Sequence, residues 1–127
     1  MTARPTVQIV RVYDDTGPAP GTYRVLVDRL WPRGRTKASV ELDEWAKDVA
    51  PSTELRRWYG HDPARFEAFA HRYRAELASP PAADAVARLA AAAGHRQVVL
   101  LTATRDIEHS GAVVLRAVLE EARAPAR

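Results

Sequence analysis

YRVLVDRL, residues 23–30, is the stretch on which the fold turns. Val25, Leu26 and Val27 follow one another without a polar break, as in a strand buried on both faces. Just upstream, DDTGPAPG at 14–21 is turn chemistry throughout. Before it, TVQIVRVY at 6–13 is rich in β-branched residues and reads as another strand. A connection this short holds no crossover helix, so strands 6–13 and 23–30 are expected to be antiparallel neighbours.

Downstream the period becomes helical. Leu42, Trp45, Ala46 and Val49 recur at helical spacing until Pro51. Ser52 is placed to cap a short second helix carrying Leu55, Trp58 and Tyr59. Asp62-Pro63 opens a third, whose stripe is Phe66, Phe69, Ala70, Tyr73 and Leu77. Ser79-Pro80-Pro81 ends it, and a fourth follows with Val86, Leu89, Ala90 and Ala93 before Gly94. QVVLLTAT, 97–104, is a third, buried strand. The helices before it supply a crossover, so it is expected to run parallel to 23–28. Ala112, Leu115, Leu119 and Ala122 mark a last helix, and ARAPAR at 122–127 reads as a frayed tail. The order β-β-α-α-α-α-β-α predicts an α/β fold: a compact single domain over 1–127 with a small mixed β-sheet packed by helices.

The chain has 127 residues, 46% of them hydrophobic, which is enough for a real core and argues against disorder. It has no cysteine, which removes disulfides and thiolate chemistry. No apolar run approaches the ~20 residues of a membrane span. MTARPTVQ lacks the apolar core of a secretory signal. The expected compartment is therefore the cytoplasm, with no membrane partner. The net charge is +3, from 19 basic and 16 acidic residues, too little by itself to argue for nucleic acid. The basic residues are nevertheless concentrated between 29 and 37.

In open α/β sheets ligands sit beyond the carboxyl ends of the strands. Two such ends are polar here. One carries Asp28, Arg29, Arg33, Arg35 and Lys37; the other is TATRDIEH, 102–109. If their strands are parallel, both open on one edge, and a helix starting after Asp106 adds free N–H groups. Arginine matches carboxylate or phosphate in a bidentate way. The ligand-binding candidates are Arg29, Arg33, Lys37, Arg56, Thr102 and Thr104. The acid/base candidates are Asp28, Asp106, Glu108 and His109.

Each has a plainer reading. Asp28 and Arg29 can be an internal ion pair, and Arg33, Arg35 and Lys37 a solvated loop. Trp31-Pro32 can cover the core and stop the strand. Asp106 can be a helix cap. Glu108 and His109, about 100° apart on a helix, need not face one pocket. Lys47 can be a solvated face. The histidines, His61, His71, His95 and His109, show no HExxH spacing, so no metal site is expected. GxSxG, GxGxxG and the P-loop pattern are absent, so no motif names a cofactor.

Several motifs are familiar together: VDRLWPRG at 27–34, Lys37, DEWAKDVAPSTELRRWYGHDP at 43–63, RYRAEL at 72–77 and LLTATRDIEHSGAVVL at 100–115. From about Val10 to Leu119 the chain resembles the YeaO-like family, a bacterial family known as domain of unknown function 488. The shared motifs fall on Asp28, Arg29, Trp31, Pro32, Arg33, Gly34 and Lys37, on Trp45, Lys47, Pro51, Ser52, Leu55 and Arg56, and on Arg72, Tyr73, Glu76 and Leu77. The resemblance implies a small cytosolic α/β domain and no particular reaction. One departure stands out. Where relatives carry Asn-His or a similar polar pair before the final Ala-Val-Val-Leu, this chain has Ser110-Gly111. A role of that pair is lost here or moved to Glu108-His109.

Two functional expectations follow. The first is a small anionic ligand, phosphorylated or nucleotide-like, at the strand ends, with Asp28 orienting one guanidinium. If catalysis occurs, hydrolysis or group transfer with Asp28, Asp106 or Glu108 as acid/base is the economical form. The second is a non-catalytic module that contacts nucleic acid or a protein partner through the basic loop 29–37. Steep salt dependence would mark nucleic acid.

Overall fold

The computed structural model describes residues 7–123; Thr6 and residues 124–127 of the expected tail lie outside the described residues. Four strands, β1 (Val7–Arg11), β2 (Thr22–Leu26), β3 (Glu44–Trp45) and β4 (Gln97–Thr102), form one sheet in the order β1-β4-β2-β3. The helices are α1 (Thr53–Tyr59), α2 (Phe66–Leu77), α3 (Ala82–Ala93) and α4 (Gly111–Arg123). None among the described residues is long and apolar enough to cross a membrane.

The α/β architecture is as expected, but the sheet is parallel throughout rather than mixed. β1 and β2 are not an antiparallel hairpin. Each pairs with β4, in parallel, and β4 lies between them. The short connection does exclude a crossover helix, but it still spans the ~10 Å of two strand spacings and leaves a place for a third strand. β4 takes that place because Val98 to Thr102 are all buried, and a strand so apolar is stable only where both faces are covered.

The second correction concerns 42–49. This segment is the short strand β3 followed by a 3-10 turn, Lys47–Val49, not a helix. Its backbone completes the sheet edge: Asp43 N–H donates to Arg24 O at 2.9 Å and Ala46 N–H to Leu26 O at 2.9 Å. The apparent helical stripe splits between two cores. Leu42 and Trp45 pack on one face of the sheet, and Ala46 and Val49 are buried on the other.

The remaining helices match the reading of the sequence. Ser52 Oγ accepts from Leu55 N–H at 3.1 Å and caps α1. Asp62 caps a 3-10 turn, Pro63–Arg65, that feeds α2. Phe69, Tyr73 and Leu77 are buried, with Phe66 packed beside them. On α4, Ala112, Leu115 and Leu119 are buried, whereas Ala122 is exposed.

The main core lies between the helices and one sheet face, where Val7, Val25, Val98 and Leu100 meet side chains of all four helices. On the other face Leu26, Val99 and Leu101 meet Val12, Val40, Trp31 and Leu42 from outside the strands and α-helices, and Trp45 of β3. Arg24 shares that face and is 3% exposed. Its guanidinium binds Asp15 in a bidentate way, at 3.0 and 2.6 Å, and its Nε donates to Glu41 O at 2.6 Å. The guanidinium beside it holds the Asp15 carboxyl below the usual carboxylate range.

Candidate functional site

Because β2 and β4 are parallel, Asp28 and Thr102 emerge at the same edge. The Asp28 carboxylate accepts from Thr102 Oγ1 at 2.7 Å and from Ala103 N–H at 2.7 Å. It thereby ties the two strand ends together. Burial pushes its pKa above the ordinary carboxylate value, against the pull of these two hydrogen bonds and of Arg56. Thr104 completes the turn: its N–H donates to Thr102 Oγ1 at 3.2 Å.

Beyond this edge lies a cavity of about 460 Å³, walled by residues following β1, β2 and β4 and by α1, α2 and the start of α4. That size suits a small molecule. Arg29, Arg33, Arg56 and Arg57 all line it, together with His61 and His109. Among the described residues none of the four arginines is paired with a carboxylate. The first turn of α4 contributes Gly111 and Ala112 to the wall, so the positive end of the helix dipole faces the same space.

Asp28 does not orient Arg29, and the two form no ion pair. Asp28 is occupied by Thr102 and Ala103, while Arg29 donates from Nε to Pro51 O and from Nη2 to Ala50 O, each at 3.2 Å. Arg29 therefore fastens the segment before α1 through Nε and Nη2. Arg33 is exposed at the rim, and its carbonyl accepts from Tyr13 OH at 2.8 Å. The guanidinium of Arg35 lies 5.1 Å from the Tyr13 ring, and its carbonyl accepts from Trp31 Nε1 at 2.6 Å. Trp31 in turn packs edge-on against Trp45 at 5.2 Å. The basic loop is thus held by two aromatic side chains.

Other candidates fall elsewhere. Lys37 is exposed and outside the cavity wall, as is Glu108. Lys47 sits 4.1 Å over the Trp45 ring. Asp106 is no helix cap: its Oδ2 lies 2.8 Å from His109 Nδ1 instead. The acid that pairs with His109 is therefore Asp106, three residues back, and not its neighbour Glu108. His109 lines the cavity; Asp106 stands behind it. Ser110 and Gly111 have packing roles. Ser110 Oγ donates to Ile107 O at 2.6 Å, and a Cβ on Gly111 would lie 3.2 Å from Tyr73 Cε2 and 3.3 Å from Pro51 Cγ.

Tyr13, Arg57, Tyr59 and His61 belong to the wall and were not singled out by the sequence for it. Gly60 and His61 both have φ of +56°, the left-handed turn that ends α1 and sets His61 at the cavity. A second cleft lies across Arg29; of its two carboxylates, Asp48 and Glu76, the latter already accepts from Ser52 N–H at 2.8 Å and Ser52 Oγ at 2.6 Å. No group of three His, Asp or Glu side chains among the described residues is placed to hold a metal ion.

Residues 6–127 match a family profile described as the inactive DUF488-N3 subclade. The chain is 47% identical over 113 residues to the uncharacterized protein Rv3073c of Mycobacterium tuberculosis, covering 89% of this chain and 92% of that protein. It is 40% identical over 109 residues to the uncharacterized protein YeaO of Escherichia coli, covering 86% and 92%. No solved structure matches it.

Proposed function

This chain belongs to the YeaO-like DUF488 family, and on that footing we propose that it binds a small anionic ligand at the carboxyl ends of its strands, without turning it over. The proposed unit is one domain over 1–127, acting in the cytoplasm. The observation that carries the reading is the gathering of Arg29, Arg33, Arg56 and Arg57 around one cavity with, among the described residues, no ion pair to any of them, the one carboxylate in the wall, Asp28, being bound by Thr102 and Ala103. Four guanidiniums without ion pairs, in a wall shared with the first turn of α4, favour a carboxylate or phosphate.

Binding without reaction is supported from two sides. The matched profile is described as inactive. Of the acid/base candidates, Asp28 is held by two hydrogen bonds and Glu108 stands outside the wall. The Asp106–His109 pair then serves to hold an imidazole toward the anion rather than to move a proton in a reaction.

A thermal-shift and titration series of inorganic phosphate and phosphorylated metabolites tests this. A ligand at a hundred times its Kd should stabilise the fold by about 2.7 kcal/mol. Arg33→Ala and Arg56→Ala should each remove that shift. If no anion raises the midpoint, or both variants bind as the parent does, the reading is wrong. Binding that instead collapses steeply with salt and requires polynucleotide would assign the loop to nucleic acid.

A further inference from the structure

We infer that the ligand is an anion carrying a flat apolar ring, not a bare oxyanion; this rests on the anion-binding reading of the same cavity. A tetrahedral oxyanion fills only a small part of about 460 Å³. Besides its arginines, the cavity is walled by Leu30, Trp31, Pro32, Tyr59, Phe69 and Tyr73.

The polar handles of these aromatic residues are already used. Tyr59 OH donates to His109 O at 2.6 Å, Tyr73 OH to Val49 O, and Trp31 Nε1 to Arg35 O at 2.6 Å. Tyr59, Phe69 and Tyr73 are buried and back the cavity, so the apolar surface open to a ligand is that of Leu30 and the half-buried Trp31. At the mouth Leu30 is 64% exposed. A single exposed leucine is ordinary. Here it is contiguous with Trp31 and Pro32 in a wall that a flat ring would cover. An anion with such a ring satisfies the guanidiniums and removes this surface from water together.

Calorimetric titration of the full chain with four probes decides the matter: inorganic phosphate, phenyl phosphate, 1-naphthyl phosphate and 1-naphthol. Affinity should rise from phosphate through phenyl to naphthyl phosphate, by about tenfold or more across the series. Naphthol, lacking the anion, should bind far more weakly than its phosphate. Leu30→Ala should weaken naphthyl phosphate about threefold and leave inorganic phosphate unchanged. Equal affinity for inorganic and naphthyl phosphate overturns the ring and leaves the anion site standing, as does a Leu30→Ala loss that is the same for both. Naphthol binding as tightly as its phosphate overturns the anion reading and this inference with it. Binding of none of the four overturns both.

Discussion

Leu100 and Leu101 are neighbours in β4 and equally buried, yet Leu100 meets helices and Leu101 meets loops. A parallel sheet needs both faces covered. Helices cover one face here. The other is covered without an α-helix, by loop residues such as Trp31 and Val40 together with Trp45 of β3 and the buried Arg24–Asp15 ion pair. The candidate site depends on both covers. Its helical wall comes from α1, α2 and α4, while its basic loop is anchored through Trp31 into the smaller core. The difference teaches that the site draws on both halves: Arg33 is held by the irregular loop, whereas Arg56 and Arg57 are carried by α1.

The contrast can be attacked first on the helix face. Phe69 is 2% exposed and stacks on Tyr59 at 4.3 Å. Phe69→Ala should cost about 3–5 kcal/mol in chemical denaturation. A loss below about 1 kcal/mol would mean that the stripe is not core. On the loop face the expected weak point is polar. Arg24→Ala strands the Asp15 carboxylate and should cost about 3 kcal/mol. A near-neutral result would show that the apolar part of that cover suffices alone.

Two carboxylates should then respond to pH with opposite sign. Asp15 has a lowered pKa, so its contribution is present above the ordinary carboxylate value of 3.8 and fades as pH falls through the folded value. Asp28 has a raised pKa, so its contribution is present below 3.8 and fades as pH rises through the folded value. Denaturation of Asp15→Asn and Asp28→Asn across this range should show the parent's advantage over Asp15→Asn growing with pH. Its advantage over Asp28→Asn should shrink. Parallel trends would refute the assignment. The smallest effect belongs to the loop charges. Arg33→Ala should change stability by less than about 1 kcal/mol while losing anion binding, and Lys37→Ala should change neither. Equal binding losses in the two variants would move the site out of the cavity.

The helix face was the readable one. Phe69, Tyr73 and Leu77 are spaced for one side of one helix, and nothing else satisfies that spacing. Segment 42–49 misled because its three- and four-residue spacing imitates a helix while the chain passes from the small core to the large one. Strand order was not legible, since the partner common to β1 and β2 arrives only near the end of the chain. At the site, Asp28 and Thr102 could be brought together by reasoning on parallel strand ends, and the parallel register of β2 with β4 does join those ends. Arg24 was missed, although a lone arginine inside Tyr-Arg-Val-Leu-Val already signals a buried partner. Lys37 and Glu108 drew attention through charge alone, and charge does not say which way a side chain points.

The central place of β4 has a consequence for how the chain acquires its structure. Val98 pairs with both Val7 and Tyr23, so the first two strands have no sheet partner in common until residues 97–102 exist. During synthesis β1 must wait through the whole helical middle for its partner, while β2 has only the two-residue β3 before then, and refolding must close long loops before the β4 ladders reward it. Refolding should accordingly be slow for so small a domain. A chain ending before Gln97 should hold helical signal without cooperative unfolding, and adding residues 97–123 in trans should restore it.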